Sequence, residues 1–238
     1  ANYEFRLTAL GEIELNSLGE IKDETVVMKS LTSPENACKA FKLQTPQKAF
    51  VEDGMLCLTQ VNSNSGVSYY NLIINNKETE INRNNLKFEL SAQYGAGNYN
   101  FYYQAVGMSA TLSSNFSDDF DAIKLEASSA IYVSGGELYW DSISAENYNN
   151  GNGNVVYSFS LNKETSVYSE QTTATAFEIS KKDIIPYGLY SFEVKALGDN
   201  YYYLNSNKTI LSNVVKLANI SDIRIEKGTL TWTNPKPS

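Results

Sequence analysis

The sequence predicts an all-β chain of tandem, sandwich-sized modules, and three observations carry that prediction. The pattern Tyr-x-Phe-x-apolar-x-Ala-x-Gly occurs at Tyr3–Gly11, Tyr99–Gly107 and Tyr190–Gly198. Its period of two places one face on a core and the other in solvent. The copies start 96 and 91 residues apart, about one sandwich domain each. A second element recurs at constant offsets. Ala40-Phe41-Lys42-Leu43, Ala122-Ile123-Lys124-Leu125 and Val214-Val215-Lys216-Leu217 lead to Val51, Val133 and Ile225. Gly54, Gly136 and Gly228 follow, then Leu56, Leu138 and Leu230, then Leu58, Trp140 and Trp232. Finally, no stretch holds a helical period of 3.6.

In chain order, Tyr3 to Ala9 reads as a strand near the end of a module. Leu15-Asn16-Ser17 parallels Leu204-Asn205-Ser206, and Glu24–Lys29 reads as a final strand. Residues 31–39, with Pro34, read as a linker or enlarged turn. The element from Ala40 reads as two strands joined by a turn whose glycine supplies an unusual backbone angle. Its Leu-x-Trp pair points inward, where an indole fills the space between two sheets. Tyr70-x-Leu72-x-Ile74-Asn75 and Tyr157-x-Phe159-x-Leu161-Asn162 read as third strands ending in a turn residue. Phe88–Ser91 and Phe177–Ser180 read as the strand before the opening motif, with Gly97 and Gly188 turning the chain into it. After Leu217 the pattern starts again and runs through Trp232.

The expected organisation is therefore 1–39 as closing strands of a preceding module plus linker, 40–121 and 122–213 as two modules, and 214–238 as the opening strands of a third. The chain is expected to be a window on a longer array. Almost no residues separate the modules at Leu125, and Gly/Ser linkers are absent, so a semi-rigid rod is expected.

These residues resemble fibronectin type III-like modules of bacterial surface proteins and secreted polysaccharide-degrading enzymes. The resemblance rests on Leu138-x-Trp140, Leu230-x-Trp232, the strand Tyr190 to Ala196, and the serine-bearing final hairpin near Ser206 and Ser212. It implies a seven-stranded immunoglobulin-like sandwich with Tyr190–Gly198 as its sixth strand. Leu58 stands where tryptophan is expected, and the second module lacks the usual proline near its first strand, so another immunoglobulin-like strand order stays open. Such modules serve as spacers, adhesins and accessory domains alike. No Arg-Gly-Asp tripeptide is present.

Composition narrows the function classes. The 238 residues carry a net charge of −8 and no histidine. The charge disfavours nucleic acid and anionic membranes as partners. No run of about 18 apolar residues occurs, so no bilayer-spanning helix is expected in this stretch. Without histidine the Ser-His-Asp and Cys-His arrangements cannot be built, and phosphate and dinucleotide loops are missing. Glu89 and Glu178 read as outward residues on strands rather than a hydrolytic pair. The chain is expected not to be an enzyme and to need no cofactor.

Several residues are candidates for binding. Asp118, Asp119 and Asp121 cluster near the junction of the two modules, where they could hold calcium or form a solvated acidic turn. Tyr102, Tyr139 and Tyr201-Tyr202-Tyr203 read as exposed rings that could stack on a glycan or on a host or cell-surface protein, or else pack between modules. The loop Asn147–Asn154 reads as a mobile insertion. Sequons occur at Asn115, Asn207 and Asn219. Cys38 and Cys57 are either two thiols or one disulfide. The expected function is an extracellular or cell-surface spacer that contacts neighbouring modules of its own chain. The alternatives are a carbohydrate-binding accessory module and a self-assembling subunit whose strands Val214 to Trp232 pair with another copy.

Overall fold

The computed structural model describes residues 2–7, 36–62, 64–146, 148, 153–163, 166–179, 182, 184–218 and 220–233. Strands β1 (Asn2–Leu7) and β2 (Asn36–Lys42) pair antiparallel, Asn2 opposite Phe41 and Leu7 opposite Asn36. Residues 36–39, expected as linker, are thus strand. Leu15–Ser17 and Glu24–Lys29 lie outside the described residues.

The first unit follows with β3 (Phe50–Glu52), β4 (Met55–Cys57), β5 (Val67–Ile74), β6 (Lys77–Ile81), β7 (Lys87–Phe88), β8 (Gly97–Gly107), β9 (Thr111–Leu112) and β10 (Phe120–Lys124). Sheet β3-β4-β7 and the run β10-β8-β5-β6 enclose one core, which includes Val51, Leu56, Leu72 and Phe101. The second unit comprises β11 (Ile131–Ser134), β12 (Glu137–Trp140), β13 (Tyr157–Asn162), β14 (Ser166–Thr172), β15 (Ala176–Phe177), β16 (Gly188–Ala196), β17 (Tyr203–Leu204) and β18 (Thr209–Lys216). Its sheets β11-β12-β15 and β14-β13-β16-β18 enclose a second core. Strands β19 (Ser221–Glu226) and β20 (Thr229–Thr233) pair with each other.

Each unit is therefore a seven-stranded sandwich, apart from the two-residue additions β9 and β17. The fourth strand, β6 or β14, pairs with the third and so lies in the sheet of the sixth and seventh. In a constant-type immunoglobulin sandwich the fourth strand joins the opposite sheet. The observed order is therefore not the constant-type one, and it agrees with a fibronectin type III-like sandwich.

The repeated motif is the sixth strand of each unit, and its alternation is realised in packing. Tyr190, Phe192, Val194 and Ala196 are buried in the second core, while Ser191, Glu193 and Lys195 face outward. Its first tyrosine has a separate duty. Tyr99 Oη donates to the Gly95 carbonyl at 2.9 Å and Tyr190 Oη to that of Pro186 at 2.7 Å, tying the turn to the strand it enters. Serines complete the strand's other end, where the amides of Ala105 and Ala196 each donate at 2.9 Å to Ser114 Oγ and Ser206 Oγ. Trp140 fills the space between the sheets, with its ring 5.6–5.9 Å from those of Tyr157, Phe159 and Phe192.

The repeated glycine closes a tight hairpin in all three copies. Asp53-Gly54, Gly135-Gly136 and Lys227-Gly228 have φ of 53 and 68, 58 and 85, and 51 and 79 degrees. Two successive positive φ values match the turn twist to that of the strands. Two expectations are corrected. Ala122–Lys124 and Val214–Lys216, read as the openings of modules, end seventh strands, β10 on β8 and β18 on β16, and Ile123–Lys124 also pairs ahead with the next unit. Trp232 is 52% exposed where Trp140 is 3%, because no second sheet covers β19–β20 among the described residues.

Candidate functional site

A connected set of polar contacts lies where the units meet. Strand β10 does not stop at the edge of the first unit. Its last residues pair in parallel with β17, Ile123 opposite Tyr203 and Lys124 opposite Leu204. Ile123 N donates to Tyr202 O at 2.7 Å, and Leu125 N to Leu204 O at 3.1 Å. The apolar side chains are exchanged across this join. Leu125 is buried in the second core, while Leu204, from the second unit, is buried in the first.

Lys124 sits between them, 1% exposed. Its Nζ donates to the carbonyls of Leu90 (3.0 Å), Ser91 (3.0 Å) and Tyr94 (2.8 Å), all in the loop before β8. A further donation at 2.7 Å reaches Asn207 Oδ1 of the second unit. Burial pushes the amine below its ordinary range, opposed by the nearby Glu89 carboxylate. Asn207 in turn donates to the carbonyls of Ala92 and Tyr94, both at 3.3 Å.

The turn of the first hairpin makes the second half of the joint. Gly54 N donates to Asp199 O at 2.9 Å, and Gly54 O accepts from Asn205 N at 2.9 Å. Asp53 N donates to Asn200 Oδ1 at 2.6 Å. Beside them Glu89 Oε1 accepts from Lys195 Nζ at 2.5 Å and from Asn205 Nδ2 at 2.7 Å. Glu89, read from sequence as solvated, is an ionic clasp between the units.

Acid should loosen that clasp. Burial alone would raise the Glu89 carboxyl, but the hydrogen bonds from Lys195 and Asn205 outweigh it and hold the group below 4.5. A depressed folded value means that stability is present above the unfolded value and lost as pH falls through the folded one. The group is half-exposed, so the effect is small, under about 1 kcal/mol. Melting curves of the parent and Glu89→Gln should differ near neutral pH and converge in acid, once the pH has fallen through the depressed Glu89 value.

The same joint occurs once more toward the N-terminal end. Phe41 and Lys42 of β2 lie parallel to Thr111 and Leu112 of β9, and Lys42 Nζ donates to Asn115 Oδ1 at 2.7 Å. Leu43 is buried in the first core. Two of the three sequon asparagines, Asn115 and Asn207, are thus acceptors for joint lysines.

The residues singled out from sequence are scattered by comparison. Tyr203 is buried rather than at an exposed tip, packed in the second core with its hydroxyl donating to Glu146 O. Burial pushes its phenol up to about 12. Tyr202 is half-buried, its ring 4.6 Å from that of Tyr203, while Tyr201 is exposed. Tyr102 is half-buried against Phe116 at 5.4 Å. Tyr139 stacks on exposed Tyr132 at 5.4 Å and 15°, and hydrogen-bonds Glu137, which raises its phenol. Asp118, Asp119 and Asp121 are exposed, and Asp121 accepts from Asn100 at 2.9 Å. Among the described residues no three acidic or cysteine side chains form a group able to hold a metal ion. Cys57 is a buried free thiol. Most of the loop Asn147–Asn154 lies outside the described residues, but Tyr148 is buried, with its hydroxyl on Leu197 O at 2.9 Å. No helix among the described residues is long and apolar enough to cross a membrane.

The join at Leu125 was expected from sequence, but the lysine that bridges it was not singled out, although a signal for it was present. A lysine recurs at one position of an otherwise apolar repeat, in Lys42, Lys124 and Lys216. A charge kept between buried neighbours points to a fixed set of acceptors.

No family model matches the chain, and no curated protein matches it. Among solved structures it is similar to that of chicken CNTN1 FN1-FN3 domains, at 15% identity and a TM-score of 0.26, over 80% of this chain and 75% of that one. At that score the likeness adds nothing to the strand order, on which the fold assignment rests.

Proposed function

We propose that this segment is a non-catalytic extracellular spacer whose sandwich units are held end to end by stiff joints. The observation that supports this reading is the exchange at the joint. One strand serves both units, Leu125 and Leu204 each fill the other unit's core, and Lys124 bridges the two. Bending there withdraws two buried leucines, each contributing about 2 kcal/mol, and unpairs a buried ammonium. Units in one chain otherwise move freely unless the contact between them is extensive and apolar. The histidine-free composition agrees with a non-catalytic role. Small-angle scattering tests it. A rod gives one elongated envelope, unchanged between low and high salt. A folded-back pair, or an ensemble of bend angles, would refute the spacer.

A further inference from the structure

A buried charge is normally paired with an opposite one, and that of Lys124 is not. Its four hydrogen-bond partners are the carbonyls of Leu90, Ser91 and Tyr94 and the side-chain amide of Asn207, all of them uncharged. The nearby Glu89 carboxylate is already engaged by Lys195 and Asn205. Burial biases the amine toward its neutral, nucleophilic form, with Glu89 opposing. Nζ lies 2.7 Å from Asn207 Oδ1, so the next heavy atom beyond that oxygen is the amide carbon, Cγ. The carboxamide is not free to turn, because its Nδ2 donates to the carbonyls of Ala92 and Tyr94. An amine and an amide are thus fixed against each other where water is excluded, which gives a high effective concentration. The pair Lys42 and Asn115 has the same 2.7 Å separation but is exposed.

We propose that Lys124 and Asn207 form an intramolecular amide, a covalent modification that ties the first unit to the second. Nζ attacks Asn207 Cγ, a Cγ–Nζ bond forms, and the Cγ–Nδ2 bond breaks. The lysine nitrogen enters as an ammonium with three protons and keeps one. The other two pass to the leaving nitrogen, which departs as an ammonium ion. Atoms and charge balance, nothing is oxidised or reduced, and no co-reactant is consumed. The exchange replaces a buried ammonium by a neutral amide and releases the charge to water, which removes its desolvation cost. At Lys42 and Asn115 water already solvates the ammonium, so that pair remains a hydrogen bond. The proposal stands on the contacts of the joint and not on the spacer reading: scattering decides the spacer, and mass decides the amide.

The test is the intact mass of the whole chain, purified folded and then denatured. It should lie about 17 Da, one ammonia, below the mass of the sequence, and digestion should yield a branched peptide joining Lys124 to position 207. The full sequence mass overturns the proposal. Lys124→Arg keeps the charge and the donors but cannot form the amide. It and Asn207→Ala should each recover the missing mass, a readout that holds whether or not the variants fold as the parent does. Lys42→Arg should leave the deficit in place. A deficit that persists in Lys124→Arg, or vanishes in Lys42→Arg, overturns the assignment to this pair. Cyclisation at Asn150-Gly151 or Asn152-Gly153 gives the same loss, but a cyclic imide opens in mild base and an amide does not. A deficit that mild base removes therefore also overturns the crosslink.

Discussion

Replacing Gly54 by valine is expected to part the two units while leaving both cores folded. Two costs fall on this residue. Its φ of +68° is a left-handed conformation, costing about 1–2 kcal/mol for an L residue. A β-carbon there would lie 2.0 Å from Asn205 Oδ1 and 2.7 Å from Gly198 N, and the latter is backbone that cannot rotate away. Since both obstacles belong to the second unit, the cheapest relief is separation. That breaks the bonds of Gly54 to Asp199 and Asn205 and draws Leu204 out of the first core. The expected loss is about 3 kcal/mol or more in the coupling of the units. Gly228→Val is the control, because its φ is +79° but nothing lies within 4 Å of the new carbon. It should cost only the backbone part. Scattering and inter-unit distance measurements on labelled chains read the difference. Equal behaviour of the two variants would show that the close approach at Gly54 does not hold the joint.

What was legible in the sequence follows from where each residue's partners come from. The sixth strand was legible because Tyr190, Phe192, Val194 and Ala196 alternate against a single core. The fourth strands were not. Lys77–Ile81 and Ser166–Thr172 are polar edge strands held by ladder bonds to β5 and β13, and a backbone ladder leaves little trace in side-chain pattern. Ala122–Lys124 was read as the start of a module because its repeat fits equally well as an end. The strand is both, antiparallel to β8 behind and parallel to β17 ahead. Tyr203 was read as exposed and Tyr148 as part of a mobile loop because polar, loop-like residues surround them. Their burial comes from each other and from the end of β16, which local composition does not encode. The clasp at Glu89 was missed for the same reason, since Lys195 and Asn205 are more than a hundred residues away.

Lys124→Met tests whether that joint depends on its buried charge. Methionine replaces most of the aliphatic stem, so the apolar packing between Leu90 and the join is largely kept. It leaves the carbonyl of Leu90 and the amide oxygen of Asn207 without that donor, while Ser91 O keeps the Tyr94 amide and Tyr94 O keeps Asn207 Nδ2. A buried acceptor left alone costs about 1–3 kcal/mol. Against this, removal of the ammonium returns its desolvation, the same burial that pushes its basicity down. The acceptors outnumber the charge, and a net loss of about 3 kcal/mol is expected in urea unfolding, with earlier proteolysis at the join. Lys216→Met in the same chain removes two such bonds from a half-exposed residue and should cost about 1 kcal/mol. The contrast decides between two origins of stiffness. If the two variants lose the same amount, the ammonium's desolvation cancels its bonds, and the joint is held by the exchanged leucines and the parallel strand. If Lys124→Met loses far more, the charge that recurs in each copy of the repeat locks one unit to the next.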